Sequence, residues 1–432
     1  MTIKVINLKK VLIFPYYLIL LSFFSGCSPG TTATSSTTTP QIVISPLAQS
    51  FVSVTSSTTA TVSVATVPSA ESVVEVNLTS NNPLIMSASP ESCSLTAESN
   101  SCVVTLTGES VGATVFTAAA SGYSSATSTS LLVRPQFAYI TNYSNTVTEC
   151  TVGESGLESA TCNTIEPSGA GALNVPLGIA VYAGFVYINN GAGHSYTQCN
   201  IGSAGFESNT CQTVVLPGES HPTESGPTGI VINNNIVYIS NFLNATITEC
   251  VVGNAGIESQ TCIEVPNLNI FDPYGLAVSN NILYITNASG DPLTKCSTDS
   301  SPIESSTCHR YNNIGEATDG GLTGMAIYKD HIYMASFDND GLVRCRITES
   351  GMIPDTCQDI LFDSHYLRFP IGVAINNGWI YIVNEGSRGT SDTGSYAQCR
   401  ISESGYIFTD TCSKNIPSGA GELYLSQFIA ID

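Results

Sequence analysis

Short apolar runs, each about four to eight residues long, follow one another from residue 41 to the C-terminal end of the chain. Glycine, asparagine, serine and proline separate them, and no run after residue 26 is long enough to span a bilayer. Runs of this length between turn-forming residues predict β-strands joined by tight turns. We therefore expect an all-β protein.

One phrase recurs from residue 137 onward: a tyrosine inside an apolar run that usually ends in asparagine. Five of the six copies follow a strand-like run that a glycine opens: Gly178, Gly229, Gly275, Gly324 and Gly372. Each repeat is about fifty residues long and offers four short apolar runs, which predicts one four-stranded blade of a β-propeller. The six tyrosines, spaced 46 to 51 residues apart, are Tyr139, Tyr187, Tyr238, Tyr284, Tyr333 and Tyr381.

The sixth glycine-led strand is missing before Tyr139, but its counterpart stands at the C-terminus. Phe428-Ile-Ala-Ile-Asp432 matches Gly178-Ile-Ala-Val-Tyr182 in pattern apart from its first residue. Placed innermost in the blade that residues 137–142 open, this strand would close the ring and leave no free edge there. Residues 135–432 are therefore predicted to form a six-bladed β-propeller with a C-terminal strand that closes it.

Cysteine spacing gives a second repeat. Of fifteen cysteines, Cys27 stands apart at the N-terminal end, and the other fourteen form seven local pairs. No CxxC motif indicates zinc or redox chemistry, so disulfides are expected. In the propeller, each pair should span the turn between the third and fourth strands, while the first pair should bridge a hairpin. The pairs are Cys93/Cys102, Cys150/Cys162, Cys199/Cys211, Cys250/Cys262, Cys296/Cys308, Cys345/Cys357 and Cys399/Cys412.

The N-terminus has the three parts of a secretory signal: lysines, an apolar run at Val11–Phe24, and small residues before Cys27. Ser25-Gly26-Cys27 resembles the lipobox of bacterial lipoproteins, although Phe24 stands where that family usually has leucine. The resemblance implies that residues 1–26 are removed and that Cys27 is acylated. Ser28, in place of aspartate, resembles the outer-membrane sorting class. An ordinary cleaved signal and an uncleaved anchor are the alternatives.

Residues 27–40 are small and polar and predict a flexible tether. Residues 41–134 are the size of one immunoglobulin-like domain and contain alternating segments such as Thr61–Ala65. The phrases Gly112–Tyr123 and Thr129–Val133 resemble bacterial Ig-like domains of surface proteins. The expected fold is thus an Ig-like β-sandwich followed by the propeller.

Charge limits the partners. The formal net charge is −21, and it becomes −24 once Lys4, Lys9 and Lys10 of the signal are left out. Twelve acidic residues and no Lys or Arg lie between Arg134 and Lys295. Nucleic acid is excluded as a partner, because phosphate binding depends on basic side chains.

The tyrosine phrase with its terminal asparagine resembles the blades of NHL-repeat and streptogramin-lyase-like propellers. Related gluconolactonase-like propellers hold a metal with Glu, Asp and Asn, and the lyases use His and Glu. Here the five histidines occupy no repeated position, although His221 and His365 lie in loops between blades, from which they could approach the funnel. Asp338–Gly341 indicates a solvated turn. No catalytic residue, metal ligand or cofactor is assigned. The asparagines at the repeated position, which predict turn caps, are Asn142, Asn190, Asn241, Asn287 and Asn384, with Ser336 in the fifth blade.

The sequence favours a non-catalytic binding or scaffold module that acts through propeller loops. Its partners would be envelope or surface proteins, and a lipid anchor would hold it at the outer membrane, facing the periplasm or the surface. A funnel enzyme of lactonase or lyase type and a structural part of an envelope or secretion assembly are the alternatives. The proposed partner surface consists of Phe271, Tyr274, Tyr366 and Phe369, for which packing between blades is the competing interpretation.

Overall fold

The structure is a computed structural model, and it describes residues 39–45, 51–64, 72–216, 226–312, 314, 321–363, 365–386, 394–417, 421 and 423–432. Pro40–Asp432 form one compact unit. Cys27, the signal segment and His221 lie outside the described residues. None of the helices in the described ranges is long and apolar enough to cross a membrane.

The described part of the chain is built from strands, as the apolar runs predict. Its helices are short 3-10 turns at Ser159–Thr161, Gly169–Gly171, Ser208–Thr210 and Ser305–Thr307. Eleven strands precede Pro135: β1 (Ile42–Ile44), β2 (Phe51–Ser53), β3 (Ser57–Val64), β4 (Val74–Ser80), β5 (Met86–Ser89), β6 (Ser92–Leu95), β7 (Ser101–Gly108), β8 (Gly112–Thr114), β9 (Phe116–Ala119), β10 (Ala126–Thr127) and β11 (Leu131–Arg134).

These N-terminal strands form three sheets around one apolar core. Two sheets have four strands, in the orders β1-β3-β7-β5 and β10-β9-β4-β6, and the third has the order β2-β11-β8. Alternate residues of β3 and β7 point inward, so that Val62, Val104 and Leu106 are fully buried together with Phe116.

The Cys93–Cys102 bridge corrects one expectation. Cys93 lies in β6 and Cys102 in β7, and these strands belong to different sheets. The bridge, with a Cα–Cα distance of 6.5 Å, therefore joins two sheets and does not cross a hairpin. The short link between the cysteines suggested a hairpin, but β6 pairs with β4 and β7 pairs with β3, so the chain changes sheet within this link.

The strands after Pro135 form six antiparallel sheets among the described residues, numbered here as blades one to six in chain order. Blade one contains β12 (Gln136–Asn142), β13 (Thr146–Gly153), β14 (Gly156–Leu157) and β15 (Asn163–Ile165). Blade two contains β16 (Pro176–Tyr182), β17 (Phe185–Asn190), β18 (Ser195–Gly202), β19 (Gly205–Phe206) and β20 (Gln212–Val215). Blade three contains β21 (Pro227–Asn233), β22 (Ile236–Asn241), β23 (Thr246–Gly253) and β24 (Gly256–Val265). Blade four contains β25 (Pro273–Ser279), β26 (Ile282–Asn287), β27 (Leu293–Ser297) and β28 (His309–Tyr311). Blade five contains β29 (Leu322–Tyr328), β30 (His331–Ser336), β31 (Gly341–Thr348) and β32 (Gly351–Leu361). Blade six contains β33 (Pro370–Asn376), β34 (Trp379–Asn384), β35 (Ser395–Ile401) and β36 (Ile407–Asn415).

The remaining strand, β37 (Ser426–Ile431), completes blade one. It pairs with β12, so the order in that blade is β14-β13-β12-β37. The innermost strands β16, β21, β25, β29, β33 and β37 contact one another in sequence, and β37 also contacts β16. The sheets thus form a closed ring, and the prediction of a six-bladed propeller closed by a C-terminal strand is confirmed.

Each blade contains one disulfide that connects its third strand to the outer segment after the hairpin. In blade one the register places Glu149 opposite Asn163, so the next residues, Cys150 and Cys162, face each other with their Cα atoms 4.0 Å apart. The pairing that the spacing predicts is confirmed in the other five blades as well. Their bridges, with Cα–Cα distances of 4.1–4.2 Å, are Cys199–Cys211, Cys250–Cys262, Cys296–Cys308, Cys345–Cys357 and Cys399–Cys412.

The second cysteine of each pair takes one of two positions, a difference that the spacing does not predict. In blades three, five and six it lies inside a long fourth strand, as Cys262 in β24, Cys357 in β32 and Cys412 in β36. In blades one, two and four a 3-10 turn interrupts the outer segment, and the cysteine directly follows that turn and precedes the paired strand. These three residues are Cys162, Cys211 and Cys308.

The pair of blade six has one more residue between its cysteines than the other five. The extra residue lies in the hairpin, which leaves five residues between Ile401 and Ile407, where blade one has four between Val152 and Leu157. The insertion therefore leaves the geometry of the bridge unchanged, and the Cα atoms of Cys399 and Cys412 are 4.2 Å apart.

A threonine directly before the second cysteine holds the irregular part of each outer segment. In blade one, Thr161 Oγ1 donates to the Glu158 carbonyl at 2.7 Å and accepts from the Thr151 N–H at 2.9 Å. This closes a turn that compensates for extra residues in one strand only. This motif was not predicted from the sequence, and its members are Thr161, Thr210, Thr261, Thr307, Thr356 and Thr411.

The residue before the first cysteine links each blade to the next. Glu149 of blade one accepts from the Phe206 N–H of blade two at 2.7 Å, and Gln398 of blade six accepts from the Leu157 N–H of blade one at 2.9 Å. We call these six side chains latches. Acidic latches accept from N–H groups, basic latches donate to carbonyls and glutamine latches do both, so each latch matches the backbone groups that the next blade presents. The six latch residues are Glu149, Gln198, Glu249, Lys295, Arg344 and Gln398.

A buried cluster holds the ring closure and the N-terminal sheets together. Asp432 accepts from Arg134 Nη2 at 2.7 Å, from Ser53 Oγ at 3.1 Å and from the Phe137 N–H at 3.1 Å. The Arg134 and Asp432 side chains are each only 4% exposed. The Arg134 guanidinium also lies 4.9 Å from the ring centroid of Phe51. Asp432 is thus bonded both to the strand beside β37 and to two N-terminal strands.

The latch at Glu149 predicts a pH dependence of stability. Burial raises the pKa of this carboxyl to about 7, against the N–H bond from Phe206, which lowers it. Since the pKa is higher in the folded state, the folded protein holds the proton more tightly, and stability falls as the pH rises from about 4.5 to about 7. Glu149→Gln introduces the side chain that blades two and six have at this position and cannot titrate. It should therefore reduce the loss of unfolding free energy over this pH range by about 1–3 kcal/mol.

Urea unfolding at several pH values measures this effect. Glu91→Gln, at an exposed position in the N-terminal sheets, is the matched control. The interpretation is wrong if the wild-type protein and Glu149→Gln lose the same free energy of unfolding over this pH range.

Candidate functional site

A funnel opens at one end of the propeller axis, with a cavity of about 540 Å³. Twelve of its seventeen lining residues come from two fixed positions of the repeat, one after the recurring asparagine and one before the inner glycine. We call the first set the rim and the second set the throat. The rim residues are Tyr143, Gly191, Phe242, Ala288, Phe337 and Glu385, and the throat residues are Leu177, Thr228, Tyr274, Thr323, Ile371 and Gln427.

The repeated asparagines fix the rim. Asn190 Nδ2 donates to Ser195 and Thr197, 3.1 Å from each hydroxyl, while its Oδ1 accepts from the Asn174 N–H at 3.0 Å. One buried side chain thus ties the turn after the second strand to the loop that leads into the inner strand. Asn142, Asn287 and Asn384 bond in the same two directions. In the fifth blade, Ser336 instead accepts from Asn339 at 3.1 Å.

The repeated glycines bring the inner strands into close contact. A Cβ atom at Gly229 would lie 2.3 Å from the Tyr274 carbonyl oxygen, and one at Gly275 would lie 2.3 Å from that of Thr323. A side chain there would push neighbouring blades apart. The repeated tyrosines of the second strands are buried between the blades, being at most 2% exposed. Glycines, asparagines and tyrosines therefore form the framework, not the binding surface.

An aromatic pair crosses the axis at the base of the throat. Strand β25 contacts β21 and β29, and β37 contacts β16 and β33, so these two strands lie on opposite sides of the ring. The Tyr274 and Phe428 rings stack across this gap, with centroids 5.6 Å apart and planes 20° apart. Phe428 occupies the position that is glycine in the other five inner strands. Phe428, where this strand departs from the repeat, therefore supplies one of the two stacked rings.

The polar groups of the funnel differ in what they contact. Thr228 donates to the Pro273 carbonyl at 2.8 Å, and Thr323 donates to the Pro370 carbonyl at 3.0 Å, so both hydroxyl protons serve the framework. The Tyr274 hydroxyl donates to Gln427 Oε1 at 3.3 Å. Burial raises the pKa of Tyr274, and the nearby charge of Glu385 adds to the increase. Asp338, exposed beside the rim residue Phe337, contributes a second carboxylate.

The four aromatic residues of the predicted partner surface lie in different surroundings. Tyr274 lines the throat, whereas the other three do not line the cavity. The Phe369 ring packs 5.1 Å from that of Phe337, and Tyr366 lies 4.2 Å from the ring of His365. Phe271 is 44% exposed, with the Arg310 guanidinium 5.2 Å from its ring.

Asp338 lies in an exposed turn, as predicted, and this turn borders the funnel mouth. His365 is exposed and does not line the cavity, and among the described residues no group of three His, Cys, Asp or Glu side chains could hold a metal ion. The sequence did contain a signal for the rim and the throat. Both positions adjoin a recurring residue of the repeat yet change from blade to blade, which is typical of a recognition surface on a constant framework.

Comparisons with solved structures return propellers of low sequence identity. The chain is similar to a chain of a nidogen/laminin complex, at 11% identity and a TM-score of 0.49, over 68% of this chain and 98% of that one. It is also similar to a candidate 6-phosphogluconolactonase from Bacteroides fragilis, at 11% identity and a TM-score of 0.48, over 69% of this chain and 98% of that one. A candidate 6-phosphogluconolactonase from Bacteroides uniformis matches at 13% identity and a TM-score of 0.45, over 67% of this chain and 85% of that one. No protein-family model and no curated protein sequence matches the chain.

Proposed function

We propose that this protein is an exported, lipid-anchored binding module of the cell envelope, and that its funnel face binds an envelope or surface protein without catalysis. The arrangement of the rim and the throat carries the proposal. Twelve lining residues occupy two repeat positions, and they vary in size and polarity while the neighbouring glycines and asparagines recur. A constant framework with a variable surface is suited to recognition.

The chemistry of the lining supports binding over catalysis. Leu177, Phe242 and Ile371 offer apolar contact, and both threonine hydroxyls donate to framework carbonyls. Catalysis by acid and base requires groups placed within hydrogen-bonding distance of one another and of a substrate. Asp338 and Glu385 supply the carboxylates of the lining, and neither a histidine nor a group of three possible metal ligands among the described residues joins them there.

The framework supports tight binding because it is rigid before a partner arrives. Each rim residue is held by a backbone bond, as in Phe242, whose N–H donates to the Gly226 carbonyl at 3.0 Å, and Glu385, whose N–H donates to that of Phe369 at 3.0 Å. Blade latches and disulfides restrict the outer strands. A surface that is already ordered loses less conformational entropy on binding.

The partner surface would extend beyond the funnel. Phe271, Tyr366 and Phe369 lie in the loops that lead into β25 and β33, at the same end of these strands as Tyr274 and Ile371. With the rim they would form a ring of aromatic contacts around the cavity mouth. Aromatic residues are enriched at the centres of protein interfaces.

Export and anchoring are part of the same proposal. Seven disulfides in one chain are typical of an oxidising compartment, and the segment before Cys27 resembles a lipoprotein signal. Residues 41–134 would be a bacterial Ig-like sandwich, an assignment that their single core between β-sheets supports.

A site-specific crosslink tests the partner surface. A photoreactive amino acid replaces Leu243, which lines the funnel mouth and is 57% exposed, in a protein expressed in intact cells. We expect a discrete covalent adduct with one envelope protein, weakened by Phe337→Leu in the same chain. Control probes at Leu84 of the N-terminal sheets and at Leu361 on the outer edge of blade five, 79% and 73% exposed, should give no such adduct. Equal labelling at all three positions would contradict the proposal, and so would a stoichiometric divalent ion combined with lactone hydrolysis, which would favour the funnel enzyme.

Substitution of Cys27 tests the anchor. Cys27→Ser removes the thiol that would be acylated, so the variant should carry no acyl groups, and the mass of its N-terminal peptide should lack the increment that lipidation gives the wild type. Cys93→Ser with Cys102→Ser, which removes two thiols elsewhere, is the matched control and should stay with the membrane. A wild-type N-terminal peptide without acyl groups would rule out lipidation at this residue.

A further inference from the structure

We infer that the funnel binds an organic cation, namely an ammonium group that carries alkyl substituents. This inference rests on the proposed function, because it names the ligand chemistry of the same cavity. The group could belong to a small molecule or to a side chain of a partner, and the chemistry that recognises it would be the same.

Aromatic rings recur around the rim in every second blade. Tyr143, Phe242 and Phe337 belong to blades one, three and five, and the small residues Gly191 and Ala288 occupy the rim in blades two and four. Three rings spaced in this way surround the axis, with open space between them. Such an arrangement suits a cation, since the faces of aromatic rings carry partial negative charge.

The floor of the cavity continues this aromatic surface. Tyr274 extends across the axis in the throat, and the Phe242 ring meets it edge to face, with centroids 6.1 Å apart. Phe428 supports Tyr274 from the opposite strand. A ligand on the axis would therefore meet rings at the side and at the bottom.

The formal charges of the lining have one sign. Glu385 fills the sixth rim position and Asp338 follows Phe337, while Lys, Arg and His do not occur among the lining residues that the structure describes. Two basic side chains in the described loops at this end contact groups outside the lining: Arg310 pairs with Asp291 at 3.1 Å, and Arg368 lies 5.8 Å from the ring of Phe369. An anionic, partly apolar cavity attracts a cation and repels an anion.

The apolar walls favour an alkylated ammonium group over a bare one. Val175, Leu177, Leu243 and Ile371 line the cavity and provide no hydrogen-bond acceptor from their side chains. A bare ammonium has three N–H donors and is strongly hydrated, so its transfer to such walls is costly. Alkyl substituents reduce that cost and gain apolar contact, and a cavity of about 540 Å³ has room for them.

Calorimetric titration of the whole protein with choline tests the inference, and 3,3-dimethylbutan-1-ol serves as the neutral probe of the same shape. We expect choline to bind at least about tenfold more tightly, with an affinity that falls as salt rises. A short peptide with trimethyllysine and the same peptide with its neutral carbon analogue form the second arm. Tighter binding of the peptide than of choline would identify a side chain as the source of the cation, and the reverse would identify a small molecule.

Variants locate the site. Phe242→Leu and Phe337→Leu keep an apolar side chain but lose the ring, and each should weaken choline binding about three- to thirtyfold. Glu385→Gln should weaken it severalfold and reduce the salt dependence. Phe408→Leu and Asp410→Asn, both exposed on the outer strand β36, are the matched controls and should bind as the wild type does.

The inference is overturned if the charged probes bind no better than their neutral analogues, if no probe binds, or if the funnel variants bind as the controls do. A crosslink at Leu243 without cation binding would leave the binding module standing and remove the ligand assignment. Cation binding without a crosslink would leave the ligand assignment standing and remove the support for a protein partner.

Discussion

Closure of the ring depends on a non-covalent contact between distant parts of the chain. All six propeller disulfides join segments of one blade, so none of them crosses from blade to blade or spans the seam. The seam is held by the pairing of β37 with β12 and by the buried Asp432 carboxylate, which bonds to Arg134 and Phe137. An ion pair so deeply buried costs much desolvation and is stabilising only while both partners are present.

The repeat separates residues that build the ring from residues that define its surface. Glycines, asparagines, tyrosines, cysteines and the threonine before the second cysteine keep the same task in nearly every blade. The latch residues share a position, yet Glu149, Lys295 and Arg344 differ in charge because their hairpin partners present N–H groups or carbonyls. Rim and throat residues have no such shared task, and their differences give the funnel an aromatic and anionic character.

Much of the fold was predictable because repetition makes weak signals add up. Six tyrosine phrases and local cysteine pairs indicated the blades and the bridges, and the pattern of 428–432 indicated the closing strand. The funnel was harder, because its residues are defined by the position that they share and not by their identity. Tyr274 was selected for its aromatic ring alone, while Glu385 and Gln427 carried no recognisable motif. The stacking of Tyr274 on Phe428 and the change of sheet between Cys93 and Cys102 depend on tertiary geometry, which the spacing of residues does not encode.

The most direct test of the account is the free energy of unfolding of Asp432→Ala, measured by chemical denaturation beside Asp291→Ala. Asp432→Ala leaves Arg134 buried without its carboxylate and should cost about 3–5 kcal/mol. Asp291→Ala removes a partly exposed ion pair with Arg310 and should cost at most about 1 kcal/mol. Equal losses for the two variants would contradict the claim that this buried contact holds the ring closed.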